Sequence, residues 1–213
     1  MPDIFLFLLA AMTLTLAPGP DNIYVLTRGI AQGPRAGLVA AAGFSSGLVF
    51  HTLLAVFGFA AIIKAYPPAY HALQYAGAAY LVYLGYRTLR AAAAGIVANG
   101  AEGADGGVVQ ADVPLRRIYW QSVLANMLNP KVTLFFIAFL PQFVHQDAGH
   151  VPLQMLVLAM VFIAQAFVIF SSIALFSGSV GAYFRRRASA SVHLNRLAGC
   201  AFIGLGIRMA LPE

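Results

Sequence analysis

The sequence is poor in charge and in cysteine. Only 9% of its 213 residues are Asp, Glu, Lys or Arg, whereas a soluble domain carries about 25%. So few polar groups cannot cover a globule of this length, which excludes a water-soluble fold. The single cysteine, Cys200, excludes a disulfide within the chain and a cysteine-based metal site. We expect neither a metal nor a cofactor.

The sequence also lacks two motifs that would indicate a zinc protease or a nucleotide-driven pump. It contains neither His-Glu-x-x-His nor Gly-x-x-x-x-Gly-Lys-Ser/Thr. The second absence excludes ATP-driven pumping by this chain alone. A membrane-embedded enzyme that uses Asp21 or His51 is an alternative, but we predict that the protein is not an enzyme.

What the sequence has instead is apolar length. Hydrophobic residues make up 61% of it, and its mean hydropathy is +0.80. About 20 apolar residues cross a bilayer as a helix, so we predict an all-α membrane protein with six transmembrane helices. The predicted spans are 4–27, 37–63, 70–86, 118–144, 152–176 and 194–211. A flexible, acidic linker, 91–116, would separate a first three-span repeat, 1–90, from a second, 117–213.

Basic residues concentrate between particular spans and predict the orientation. Ten of the thirteen Lys and Arg residues would lie on one side of the membrane. By the positive-inside rule that side is the cytoplasm, so we predict that the linker lies in the cytoplasm and that both termini lie outside the cytoplasmic membrane. Because these residues flank apolar stretches, we do not expect nucleic acid as a partner. The ten are Arg28, Arg35, Arg87, Arg90, Arg116, Arg117, Arg185, Arg186, Arg187 and Arg196.

Two proline motifs interrupt corresponding spans, the first and the fourth. They are Pro18-Gly19-Pro20-Asp21-Asn22 and Asn129-Pro130-Lys131. Proline has no N–H to donate, and an unpaired backbone group in lipid costs several kcal/mol. We therefore predict that the first helix of each half is broken at its motif, and that the two halves form an inverted repeat. The alternative is that both prolines only kink their helices.

The first break would offer both signs of partial charge to a ligand. Its prolines leave the carbonyls of Leu14 and Leu16 without donors. Asp21 or Asn22 can cap the helix that restarts, and the free amides of that helix point toward the gap. A dipolar amino acid has an ammonium for the carbonyls and a carboxylate for the amides.

The second break follows the same logic. Asn129 suits the N-cap, Pro130 suits the first helical position, and the carbonyl of Asn126 is left free. Ser122, Asn126 and Asn129 also fall at i, i+4 and i+7 on one helical face. This polar stripe would line a water-filled path or bond to another helix.

Asp21 and Lys131 bring charge to the two breaks. A charge in mid-membrane costs about 2.5–3.5 kcal/mol, so it usually faces a cavity or a partner. In one interpretation Asp21 contacts a substrate ammonium or carries a coupling proton, and Lys131 attracts a carboxylate. In the other, the two side chains pair with each other or reach the interface.

The second span of each half carries a polar residue near its middle. His51 could carry a proton or be a hydrogen-bonded structural residue. Gln165 could pair with His51 or line the same cavity. Gly43 and Gly47 form a Gly-x-x-x-Gly motif, which we interpret as close packing within one protomer rather than a dimer interface.

The motifs resemble those of a known family. The Pro-Gly-Pro-Asp-Asn motif and the tract Gln-Ser-Val-Leu-Ala-Asn-Met-Leu-Asn-Pro-Lys at 121–131 are similar to those of the lysine exporter (LysE) superfamily, closest to its homoserine/threonine resistance (RhtB) type. The resemblance extends over the whole chain and implies export of amino acids from the cytoplasm across the inner membrane of a bacterial cell, generally by proton exchange. It carries over to Pro18, Gly19, Pro20, Asp21, Asn22, Asn129, Pro130 and Lys131.

Together these observations predict a secondary exporter of small amino acids of the threonine, homoserine, leucine and lysine class. Its partners would be the amino acid, protons and the lipid bilayer. The sequence leaves open whether the protein forms a homo-oligomer. The alternatives are an exporter of a cation or another small solute, and a passive channel.

Overall fold

The structure, a computed structural model, describes residues 4–65, 68–93, 113–145, 149–179 and 188–210. Every element in these ranges is helical, as the composition predicts. The first half contains α1 (Ile4–Leu16), α2 (Pro20–Gln32), α3 (Pro34–Ala65) and α4 (Pro68–Ala93). The second half contains α5 (Leu115–Met127), α6 (Pro130–Leu134), α7 (Val151–Leu175) and α8 (Ala188–Ala210). Helix α6 continues into a short π-helix (Phe135–Phe139) and then a short 3-10 helix (Leu140–Phe143).

Several of these helices are long and apolar enough to cross a membrane. Pro34–Gly58 within α3 and Val151–Leu175 each contain 25 residues, a rise of about 37 Å against about 30 Å of hydrocarbon. The pair α1 and α2, bent by 58°, and the pair Leu115–Met127 and Pro130–Phe143, bent by 49°, qualify when each pair is taken as one span. The chain therefore breaks its helices at both proline motifs, as predicted.

The two broken spans run in opposite directions. At one side of the breaks, Phe7 of α1 contacts Phe143, with ring centroids 5.3 Å apart. At the other side, the hydroxyl of Tyr24 in α2 donates to Oε1 of Gln121 in α5 at 2.9 Å. The first span therefore begins where the fourth span ends.

Several of the other helix pairs have a counterpart in the opposite half. The bent pair α1–α2 packs on α7, and α5 packs on α3. The second spans α3 and α7 pack on each other, and so do α4 and α8. Exchanging the halves leaves these pairings unchanged.

Glycine permits the closest of these crossings. A Cβ at Gly43 would lie 2.5 Å from the carbonyl oxygen of Tyr119, and one at Gly47 would lie 2.7 Å from Cβ of Asn126. Real Cβ atoms do not approach other atoms this closely. The prediction that this Gly-x-x-x-Gly motif packs within one protomer is confirmed, and its partner is α5.

Aromatic rings fill the space beyond the breaks on the side of Phe7. Neighbouring ring centroids there lie 4.7–6.5 Å apart, the range of favourable aromatic pairs. We call this group the phenylalanine cluster. It consists of Phe7, Phe135, Phe136, Phe139, Phe143 and Phe162.

The helices extend into both ends of the predicted linker. Helix α4 continues to Ala93 and α5 begins at Leu115. Residues 94–112 of the linker, and the predicted topology signal Arg185–Arg187, lie outside the described residues.

Candidate functional site

The first break is capped differently from the sequence prediction. Gly19, in an extended conformation, occupies the N-cap of α2 without a side-chain cap, and Pro20 follows as the first helical residue. The expectation that Asp21 or Asn22 caps α2 is therefore wrong. Asn22 faces backward and donates from Nδ2 to carbonyls at the end of α1. An amide can donate as well as accept, so the same residue type can cap either helix end.

The second break follows the prediction at its N-cap. The side chain of Asn129 accepts a hydrogen bond from the backbone N–H of Lys131 at 3.0 Å, and Pro130 is the first helical residue. The carbonyl of Asn126, however, is not free. It accepts from the backbone N–H of Asn129 at 2.9 Å and from Nε2 of His51 at 2.9 Å.

Side chains of the second break cross to the first. Nδ2 of Asn129 lies 3.1 Å from each carboxylate oxygen of Asp21. Nζ of Lys131 donates to the carbonyl oxygen of Leu14 at 2.7 Å and to that of Ala17 at 3.3 Å. Asp21 and Lys131 therefore each bond to the opposite break rather than to each other, although their charges interact.

A cavity of about 30 Å³ lies between the breaks. A water molecule needs roughly 10–15 Å³ by this measure, so the cavity has room for two or three. The breaks supply most of its polar lining, and one face of α7 supplies much of its apolar lining. The polar residues are Thr15, Asp21, Asn22, Asn126, Asn129 and Lys131, and the larger apolar ones are Leu14, Leu48, Val132, Phe162 and Phe170.

The polar lining has unused acceptors. Oδ1 of Asn22 and Oδ1 of Asn126 are both buried without a hydrogen-bond partner. A buried acceptor without a donor costs about 1–3 kcal/mol, which an incoming donor would recover. Together with the carboxylate of Asp21, these oxygens make this lining suited to an ammonium group.

Two predicted lining residues lie elsewhere. Ser122 donates to the carbonyl of Ile118 in its own helix, and it does not line the cavity. Gln165 does not pair with His51 and does not line the cavity either. It donates from Nε2 to Oγ1 of Thr15 at 2.9 Å and so holds α7 against α1.

The apolar lining could not be found from the sequence. Phe162, Ala166 and Phe170 fall at i, i+4 and i+8 on α7 and all line the cavity. In a chain with 61% hydrophobic residues, such a stripe does not differ from the rest of a span. Gln121, by contrast, lies within the family-like tract, and its bond to Tyr24 gives it a role at the closed end of the site.

The tract Gly43-Phe44-Ser45-Ser46-Gly47 also fits the Gly-x-Ser-x-Gly spacing of serine hydrolases. That motif works at a sharp turn between a strand and a helix, where the serine is exposed. Here the tract lies in the middle of α3, and Oγ of Ser45 is buried without a partner. The structural setting of a hydrolase nucleophile is therefore absent at this tract.

His51 is completely buried, and its ring donates a hydrogen bond to the carbonyl of Asn126. A carbonyl oxygen only accepts, so Nε2 carries the proton toward Asn126. Nδ1 is buried without a partner. An imidazolium would therefore hold an unpaired N–H, and the geometry favours the neutral ring.

We expect His51→Ala to lower the free energy of unfolding by about 2–3 kcal/mol, because a buried carbonyl loses a donor and a cavity forms. His51→Gln can still donate to the carbonyl but cannot titrate, so it should unfold near the wild-type temperature. Thermal unfolding in detergent measures both effects. If His51 instead relayed protons, His51→Gln would fold like the wild type but its transport would no longer respond to a pH gradient.

In the described residues, two broken helices face each other across a small cavity with polar groups at both breaks, which is the arrangement by which transporters bind their substrates. The family model for LysE type translocators matches residues 12–212. The chain belongs to this family.

Similar proteins extend over nearly the whole chain. An uncharacterized membrane protein of Pseudomonas aeruginosa is 33% identical over 209 residues, 98% of this chain and 94% of that protein. Leucine efflux proteins of Klebsiella pneumoniae and Salmonella typhimurium are 31% and 29% identical over 204 residues, 96% of this chain and 92% of each relative. No solved structure matches the chain.

Proposed function

We propose that the protein exports neutral aliphatic amino acids such as leucine, and that it binds them between the two breaks. The observation that carries the proposal is the cavity, in which a carboxylate and an ammonium lie at opposed helix breaks beside an apolar wall. A secondary carrier needs such a site near the midpoint of its broken helices.

The charges at the breaks suit the two ends of an amino acid. The substrate ammonium would bond to Asp21 and to the unused oxygens of Asn22 and Asn126. The substrate carboxylate would bond to Lys131 and to the first amides of α2, which have no carbonyl partner in their own helix. Both contacts replace bonds that now hold the breaks together, so binding and opening would be coupled.

The apolar wall argues for an aliphatic side chain. Phe162, Ala166 and Phe170 offer neither a hydrogen-bonding group nor an opposite charge to a charged side chain, and burying a charge without such a partner is strongly unfavourable. Leucine fits this wall better than lysine, and threonine and homoserine would each bury a hydroxyl there. The names of the leucine efflux relatives agree with this preference.

The proposed architecture is six spans in two inverted repeats. The antiparallel broken spans and the packing shared by the halves support it, with α4 and α8 as the third spans. An odd number of spans in each half would invert the second half relative to the first. The distribution of basic residues supports an orientation with both termini outside the inner membrane.

Coupling to protons completes the proposal. Asp21 is the candidate proton carrier, since it is the acidic side chain that lines the cavity. The chain would act as a carrier and not as an enzyme.

Counterflow in proteoliposomes tests the proposal. Vesicles loaded with unlabelled leucine should take up labelled leucine, isoleucine and valine, while labelled lysine should enter about tenfold more slowly or less. An imposed pH gradient should accelerate net leucine flux. Protein-free vesicles provide the control. Failure to exchange any amino acid, or a preference for lysine, would contradict the proposal.

A further inference from the structure

The C-terminal end of α1 carries main-chain oxygens that its own helix does not satisfy. Pro18 has no N–H, so the carbonyl of Leu14 loses its usual partner four residues on. The chain is extended at Gly19, which leaves the carbonyls of Thr15 and Ala17 available as well. Such a helix end carries about half a negative elementary charge. It is therefore an acceptor site that favours a cation.

Two side chains fill this acceptor site, and they differ in charge. Neutral Asn22 donates from Nδ2 to the carbonyl of Thr15 at 3.0 Å and to that of Ala17 at 3.1 Å. Lys131 donates from Nζ to the carbonyl of Leu14 at 2.7 Å and to that of Ala17 at 3.3 Å. The two donors thus share one oxygen and lie side by side.

The groups around the Lys131 ammonium are ones that would also bind a small free cation. Two carbonyl oxygens bind it, and the ring centroid of Phe202 in α8 lies 5.8 Å away. The carboxylate of Asp21 bonds to Asn129 instead. Carbonyl oxygens at the end of a broken helix are groups that coordinate sodium in transporters, and an aromatic face also attracts a cation.

We infer that the end of α1 is a binding site for a small monovalent cation and that Lys131 is a cation tethered in it. Because the lysine comes from the second half of the chain, the same contact fastens the second break to the first. Removing its side chain should open a site that a free primary ammonium or an alkali ion can enter. The inference holds whichever solute the protein exports.

Cation-dependent stability of a Lys131→Ala variant tests this inference. The full-length variant, purified in detergent without amino acids, should unfold at a lower temperature than the wild type. Methylammonium chloride at ten times its Kd should raise that temperature by about 3–6 °C. Sodium chloride should act in the same direction. Choline chloride at equal ionic strength should have no such effect, because its head group is too bulky and has no N–H to donate.

Three proteins serve as controls. The wild type should not respond to methylammonium, because its site is occupied. Lys131→Met loses the charge but keeps most of the side-chain volume, so it should be destabilised without rescue. Asn22→Ala removes the neutral donor from the same carbonyls and leaves the lysine in place, so it should also be destabilised without rescue.

If Lys131→Ala does not survive extraction without methylammonium, its recovery during purification provides a second measurement. The variant should then elute as a monodisperse protein only when methylammonium is present throughout. Loss of the variant in every salt, equal responses to methylammonium and choline, or a wild type that responds as strongly as the variant would each overturn the inference. Since no amino acid is used, failure of leucine counterflow would not affect this result.

Discussion

Asp21→Asn is expected to weaken leucine binding by about 10- to 100-fold and to abolish leucine exchange. The substitution removes the negative charge that would bind the substrate ammonium. A hydrogen bond to a charged group contributes about 1.5–3 kcal/mol, which corresponds to that range of affinity. It also leaves the Lys131 ammonium without a compensating charge at the opposed break. Thermal stabilisation by leucine, followed over a concentration series, measures the binding effect.

Asp147→Asn is the matched control for this experiment. It makes the same chemical change in the sequence between the predicted spans 118–144 and 152–176, away from both proline motifs, and it should bind and exchange leucine like the wild type. A purely structural role for Asp21 would give a different pattern. Asp21→Asn would then unfold at a lower temperature, since its bonds to Asn129 change, but its affinity for leucine would be unaltered.

Gly43→Leu is expected to lower the free energy of unfolding by about 3 kcal/mol or more, which corresponds to a decrease in unfolding temperature of about 6–12 °C. Even its Cβ would lie 2.5 Å from the carbonyl oxygen of Tyr119. That oxygen belongs to the backbone of α5, so it can move only if the whole helix moves. Because α5 carries Asn126 to the cavity, leucine stabilisation should weaken as well. Thermal unfolding with and without leucine measures both effects.

The same helix provides the control for that substitution. A Cβ at Gly58 would meet no atom within 4 Å. Gly58→Leu therefore adds the same side chain to α3 without a clash, and it should unfold near or above the wild-type temperature because glycine is a poor helix former. Equal destabilisation of the two variants would show that glycine is not needed for the contact between α3 and α5.

Features of the site that depend on covalent chemistry could be predicted from the sequence. Proline removes a donor in any environment, so the breaks at Pro18 and Pro130 were predictable without knowing their neighbours. The same holds for Asn129 as an N-cap, because its partner lies two residues away. The long apolar helices α3 and α7 were predictable from the length of apolar sequence alone.

Features that depend on packing could not be predicted. Whether Lys131 bonds to a carboxylate or to a main-chain oxygen is decided by distances of a few ångströms between helices that are far apart in sequence. The same limitation applies to Asn22, whose amide can serve either end of the break, and to His51, whose partner is a backbone carbonyl on another span. The sequence pattern predicts that these side chains are polar residues within membrane spans, but it does not determine their partners.

The cavity is closed unequally on its two sides. On the side of Tyr24, α2 is joined to the second half by hydrogen bonds, from Tyr24 to Gln121 and from Gln32 to the carbonyl of Val113. On the other side the broken helices are held by the phenylalanine cluster. In the predicted orientation the weaker closure faces the cell interior. Thermal fluctuations should then admit internal solute far more often than external solute. Opening to the outside would then be the slow step of transport, and it would limit the rate of passage in both directions without setting the direction of net flux.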